Sequence, residues 1–159
     1  MYKRILLASD GTRESLVALR EGALLAKSTG AHVWLLIIQT EAPAVRVADG
    51  IYPAPRDLSG ALDLLQQGLS RLSALGVQAE GEVVIGEPTM LIAKRAKAFG
   101  AGLVVVGHRR TSMLERWWSG SSGGYLVDSL SCSVLVAREV VSDAVFDAHL
   151  AASSAVAAA

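Results

Sequence analysis

Apolar residues fall along this chain in two kinds of run. Ile5-Leu6-Leu7-Ala8, Val33 to Ile38 and Leu103-Val104-Val105-Val106 are short and almost unbroken. Runs of that length and continuity predict strands buried on both faces, as in a parallel sheet. Val77 to Ile85, which alternates at first, and Val134-Leu135-Val136 add two more. Between them the period changes. Leu16, Leu19, Ala23 and Ala26 recur at steps of three and four, predicting a helix from Arg13 to Ser28 that Gly30 stops. Leu58, Leu62, Leu65, Leu69 and Leu72 predict a second, stopped at Gly76. Pro88 is placed to open a third, with Leu91, Ile92, Ala96 and Phe99 inward and Gly100 at its end. A short fourth is expected from about Ser121 to Leu130.

Glu41 to Arg56 holds three of the four prolines and shows no period, so it reads as a long surface loop. The alternation of strand and helix predicts an α/β fold: one open, parallel, five-stranded sheet, order 3-2-1-4-5, with helices on both faces. That domain spans residues 1–139. The Ala/Ser-rich tail, 140–159, is either weakly ordered or helical.

Composition narrows the class. Hydrophobic residues make up 52% of the 159, enough for a sizeable core. Lys+Arg and Asp+Glu balance at 15 each, which argues against a nucleic-acid partner. No apolar stretch is long enough to span a membrane, and the N-terminus lacks a signal-peptide pattern. A lone cysteine, Cys132, forms no internal disulfide, so the expected compartment is the cytoplasm.

In open parallel sheets, ligands bind beyond the strand C-termini where strand order reverses. Strands one and four flank that point. The first ends in Ser9-Asp10-Gly11-Thr12, and the fourth in Gly107-His108-Arg109-Arg110. Gly120-Ser121-Ser122-Gly123-Gly124 then opens the next helix. Glycines admit close backbone approach, and a helix start offers unpaired N–H groups to a phosphate. Arg109, Arg110 and Arg116 add charge-assisted donors. The bland reading is a capped helix start, with Asp10 a turn residue, and both readings stand on local chemistry alone. His32, His108 and His149 have no metal-ligand spacing, and only His108 lies in the candidate site. Near the cradle the only carboxylates are Asp10 and Glu115, too few for the metal-holding set of phosphoryl transfer, so no catalytic residue is assigned.

These segments resemble the universal stress protein family over nearly all of residues 2–138. The likeness is carried by Ile5 to Ser15 with its Asp10-Gly11-Thr12 turn, by Gly86-Glu87-Pro88, by Leu103 to Gly107, and by Ser131 to Arg138. The resemblance implies a dimeric stress-response protein that binds ATP or AMP, with Mg²⁺ only alongside the nucleotide. Its ATP-binding members carry G-x-x-G, nine residues, then G and Ser or Thr. Here Gly107, the nine residues Thr111 to Ser119, and Gly120-Ser121 match, while Arg110 stands at the second glycine. By that resemblance the nucleotide site comprises Asp10, Gly11, Thr12, Ile38, Gly107, His108, Arg109, Arg110, Gly120, Ser121 and Ser122. Asp10 sits at the adenosine end, the backbone around Ile38 meets the base, and Gly107, Arg109, Gly120, Ser121 and Ser122 line the phosphates. The resemblance also implies a homodimer paired through the fifth strand, Val134 to Val136, and a bare apolar edge strand invites such pairing. Three readings follow: a nucleotide-binding regulator, a ligand-free interaction protein whose site Arg110 closes, and a weak ATPase.

Overall fold

The structure is a computed structural model that describes residues 1–40, 45–47, 50–52, 57–107, 126–138 and 141–157. Five parallel strands form its centre: β1 (Arg4–Ser9), β2 (His32–Gln39), β5 (Ala79–Ile85), β6 (Leu103–Gly107) and β7 (Ser133–Ala137). Their order is β5-β2-β1-β6-β7, so the predicted 3-2-1-4-5 sheet is what the chain builds. The chain steps outward from β1 to β2 to β5, then crosses back to β6 and β7.

Register explains the continuous apolar runs. Ile5 pairs with Val33 and Leu103, and Leu7 with Leu35 and Val105. These residues point to one face, where Leu19, Ala23, Leu72 and Phe146 cover them. Leu6, Ala8, Leu36, Ile38, Val104 and Val106 point to the other, under Ile92, Ala96 and Leu126. Alternate side chains of a strand face opposite ways, so a central strand covered on both sides is apolar throughout. The first face carries α1 (Arg13–Ala18), α2 (Arg20–Thr29), α3 (Ser59–Ala74) and α5 (Asp143–Ala157), and the second carries α4 (Pro88–Phe99) and a 3₁₀ turn (Leu126–Ser129).

Several boundaries depart from the sequence pattern, each for a local reason. The single helix expected over 13–28 is two, joined at Leu19, whose amide bonds both Ser15 O and Val17 O and whose ψ is −4°. The strand expected from Val77 starts at Ala79. Gly76, at φ 77°, and Val77 instead close α3: their amides bond Ser73 O at 2.8 Å and Leu72 O at 2.9 Å. That is the paired C-terminal cap that a left-handed glycine permits. The expected loop over 41–56 contains an antiparallel hairpin, β3 (Val45–Val47) with β4 (Gly50–Tyr52). Its prolines, Pro43, Pro53 and Pro55, bracket the short β-prone runs rather than interrupt them. Of the helix expected from about Ser121 to Leu130, the described part is the 3₁₀ turn, and the rest lies outside the described residues. The tail forms α5, with Phe146 only 3% exposed. No described helix is long and apolar enough to cross a membrane.

Candidate functional site

The crossover between β1 and β6 places the C-termini of the two strands side by side, with Ala8 paired to Val106 and Ser9 paired on its other side to Ile37. The polar residues that follow β1 are tied into a compact knot. Ser9 is fully buried, and its Oγ accepts from the Gly11 amide at 3.1 Å. The Asp10 amide donates to Ser15 Oγ at 3.4 Å. Asp10 Oδ1 accepts twice, from the Thr12 amide at 3.0 Å and from the Thr12 hydroxyl at 2.7 Å. Thr12 Oγ1 in turn accepts from the Ser15 amide at 3.2 Å, which makes Thr12 the N-cap of α1. Asp10 is therefore a turn residue as well as a partly exposed carboxylate at the rim of the crevice.

Gly11 is required where it stands. Its φ is 75°, and a Cβ there would lie 2.2 Å from Gln39 Nε2 and 3.2 Å from Ile37 Cγ2. That close approach lets the Gln39 amide donate to Asp10 O at 3.3 Å, while Gln39 O accepts from the Gly86 amide at 3.0 Å. One residue thus joins the end of β2 to the Asp10 turn and to the turn before α4. Ile38, beside it, is fully buried against the α4 face and paired with Val84.

Gly107 forms the opposite rim. A Cβ on it would lie 3.0 Å from Ala18 Cβ, 3.0 Å from Ser15 O and 3.3 Å from Ser15 Oγ. The glycine lets α1 settle against the end of β6, so Ser15 touches both rims. Glu87, after Gly86, caps α4 by accepting from the Thr89 amide at 3.0 Å and the Met90 amide at 2.6 Å.

The structure therefore brings Asp10, Gly11, Thr12, Ile38 and Gly107 to one end of the sheet. His108, Arg109, Arg110, Gly120, Ser121 and Ser122 lie outside the described residues. Pattern reading missed Ser9, Ser15 and Gln39. Their signals were faint: Ser9 and Gln39 are single polar residues closing apolar runs, and Ser15 sits three places after a capping threonine. The amides of Asp10, Gly11, Thr12 and Ser15 are used within the knot, which leaves its oxygens as acceptors at this end of the sheet. Among the described residues no cluster of three or more His, Cys, Asp or Glu is placed to hold a metal ion.

The fold recurs in known proteins. The model of the universal stress protein family matches residues 1–138. A universal stress protein of Bacillus subtilis, YxiE, is 30% identical over 148 residues, covering 87% of this chain and all of that protein. A universal stress protein solved in complex with cAMP superposes with a TM-score of 0.63 at 19% identity, over 87% of this chain and 98% of that one. An Arabidopsis thaliana member solved with AMP bound gives 0.57 at 18% identity, over 89% and 97%. The family match over residues 1–138 and the full-length likeness to the Bacillus subtilis protein agree: this chain belongs to the universal stress protein family.

Proposed function

We propose that the protein is a cytoplasmic, non-enzymatic stress-response regulator that binds an adenine nucleotide, ATP or AMP, in the crevice between β1 and β6. The observation that carries this reading is that β1 and β6, which lead into Asp10 and Gly107, are neighbours at the point where strand order reverses, the place where open α/β sheets take ligands. Two structural relatives, one in complex with cAMP and one with AMP bound, support the adenine class. The remaining half of the cradle is Gly107, nine intervening residues after Arg110, then Gly120-Ser121. Asp10, an acceptor when ionised and held in orientation by Thr12, suits hydroxyl or amino donors of the adenosine end. Gly107, Arg109, Gly120, Ser121 and Ser122 would hold the phosphates, with Mg²⁺ entering only with the nucleotide. A homodimer paired through β7 belongs to the same proposal, since β7 is an edge strand whose Val134, Leu135 and Val136 are half-buried.

Mass spectrometry of natively purified protein, with calorimetric titration of ATP and AMP with and without Mg²⁺, tests the reading. One nucleotide per chain supports it; no nucleotide and no heat overturn it. The same sequence position favours a second reading. Arg110 replaces a glycine of the pattern, and closure by Arg110 would leave a ligand-free interaction protein. Arg110→Gly then creates ATP binding where the parent chain has none, whereas equal binding by both forms removes this reading.

A further inference from the structure

Strand β2 is apolar from Val33 to Ile38 and then closes on one half-buried polar residue, Gln39. Its Nε2 donates to Asp10 O at 3.3 Å, and because that acceptor is a carbonyl, only the NH₂ end of the amide can face it. The next backbone donor, the Gly11 amide, bonds Ser9 Oγ at 3.1 Å. The Asp10 carbonyl and the Gly11 amide belong to one peptide unit. Two side chains from neighbouring strands, Ser9 on β1 and Gln39 on β2, therefore hold the two ends of a single peptide plane. The strand end that carries the pin is itself fixed from its other side. Gln39 pairs with Ile85, and its carbonyl accepts from the Gly86 amide at 3.0 Å.

That peptide needs a pin. Gly11 follows it at φ 75°, and a glycine moves between left- and right-handed backbone with little steric cost. The bond from the Thr12 amide to Asp10 Oδ1, 3.0 Å long, closes a ring that contains this same peptide. The ring keeps its shape, and the carboxylate its direction, only while the peptide keeps its orientation. The glycine and the glutamine also share one space: a Cβ on Gly11 would lie 2.2 Å from Gln39 Nε2. A group that a ligand must meet binds more tightly when it is already fixed, since the ordering cost is then met by the fold.

We propose that Gln39 is a positioning residue of the nucleotide site: from β2 it holds the Asp10–Gly11 peptide, and through it the Asp10 carboxylate that meets the adenosine end. The inference rests on the nucleotide reading above and adds to that site a residue outside its glycine and serine pattern.

Gln39→Met keeps the length of the side chain and removes the donor. Calorimetric titration of AMP and ATP into the full chain, parent and variant, gives the affinities, and thermal unfolding gives the stabilities. Well below its unfolding temperature the variant should bind both nucleotides about three- to tenfold more weakly, the effect of one lost neutral hydrogen bond. The factor should be the same for AMP and ATP, because the pin acts at the adenosine end. A residue serving stability alone would lower the unfolding temperature and leave the folded chain's affinity at the parental value, and that result overturns the proposal. A larger loss for ATP than for AMP overturns it too, since the effect would then lie at the phosphates. Amide hydrogen exchange without nucleotide supplies an arm independent of binding. The Gly11 amide should exchange at least about threefold faster in the variant, and equal exchange overturns the proposal. If Gln39→Met does not fold, as judged by circular dichroism, Gln39→Glu is read by the same criteria, since it keeps the shape but sets an oxygen against the Asp10 carbonyl. A parent chain that binds neither nucleotide overturns the nucleotide reading and this proposal with it, whereas a binding parent with an unaltered variant overturns this proposal alone.

Discussion

The Thr12 hydroxyl donates to Asp10 Oδ1 at 2.7 Å while accepting from the Ser15 amide at 3.2 Å. One side chain thereby caps α1 and braces the Asp10 carboxylate. Thr12→Val removes both bonds in a nearly isosteric side chain. It should cost about 1–2 kcal/mol in urea denaturation, the range of a lost N-cap, and Thr12→Ser should restore most of it. On the proposed reading, nucleotide affinity should fall in Thr12→Val as Asp10 keeps only the Thr12 amide of the two bonds that orient it. Unchanged stability in Thr12→Val would show that the cap contributes nothing.

Gly107→Ala should destabilise the fold by about 1–3 kcal/mol, the cost of overpacking, because the new methyl meets Ala18 Cβ and Ser15 O at 3.0 Å. Adding Ala18→Gly relieves one of the two contacts, so the double variant should recover only part of the loss. Thermal unfolding of the two single variants and the double variant measures the coupling.

The Arg20–Asp143 pair and the Phe146 ring both tie α5 to the body, but unequally. Asp143 is 82% exposed, so Asp143→Asn should cost less than about 1 kcal/mol. Phe146 is 3% exposed and packs against the leucine core, so Phe146→Ala should cost about 3 kcal/mol or more. Urea midpoints of the two variants give the comparison. Equal losses would mean that the ion pair holds the helix as strongly as the ring does.

Partial burial pushes the Cys132 thiol above its usual value. Its alkylation rate should therefore rise at higher pH in the folded chain than in the urea-unfolded chain. The sign for stability follows: a raised folded value favours the native state below the unfolded pKa, and that advantage disappears as pH climbs through the folded one. Rates of thiol labelling across pH 7–10 test this, and coincident profiles would contradict it.

The parallel sheet was legible because the runs Ile5 to Ala8, Val33 to Ile38 and Leu103 to Val106 in its three central strands are apolar at every position, which only a sheet covered on both faces rewards. The turn after β1 was legible as a turn, while a carboxylate looks the same in sequence whether it braces a turn or binds, so only the structure shows Asp10 accepting from Thr12. Likewise Gly107 stood out for phosphate approach, while its contact with Ala18 and Ser15 depends on how α1 packs.

Alternation of short apolar runs with three-and-four periodicity was enough to determine the fold class and the helix stops, because those are local patterns of burial and capping. Tertiary structure alone decided the rest. It split the first helix at Leu19, diverted Val77 from strand to cap, docked the Ala-rich tail through Phe146, and left Arg20 buried with one donor unpartnered among the described residues. The first two are bonds within a few residues that apolar periodicity does not specify, and the last two depend on residues far apart in the chain, which no local pattern encodes.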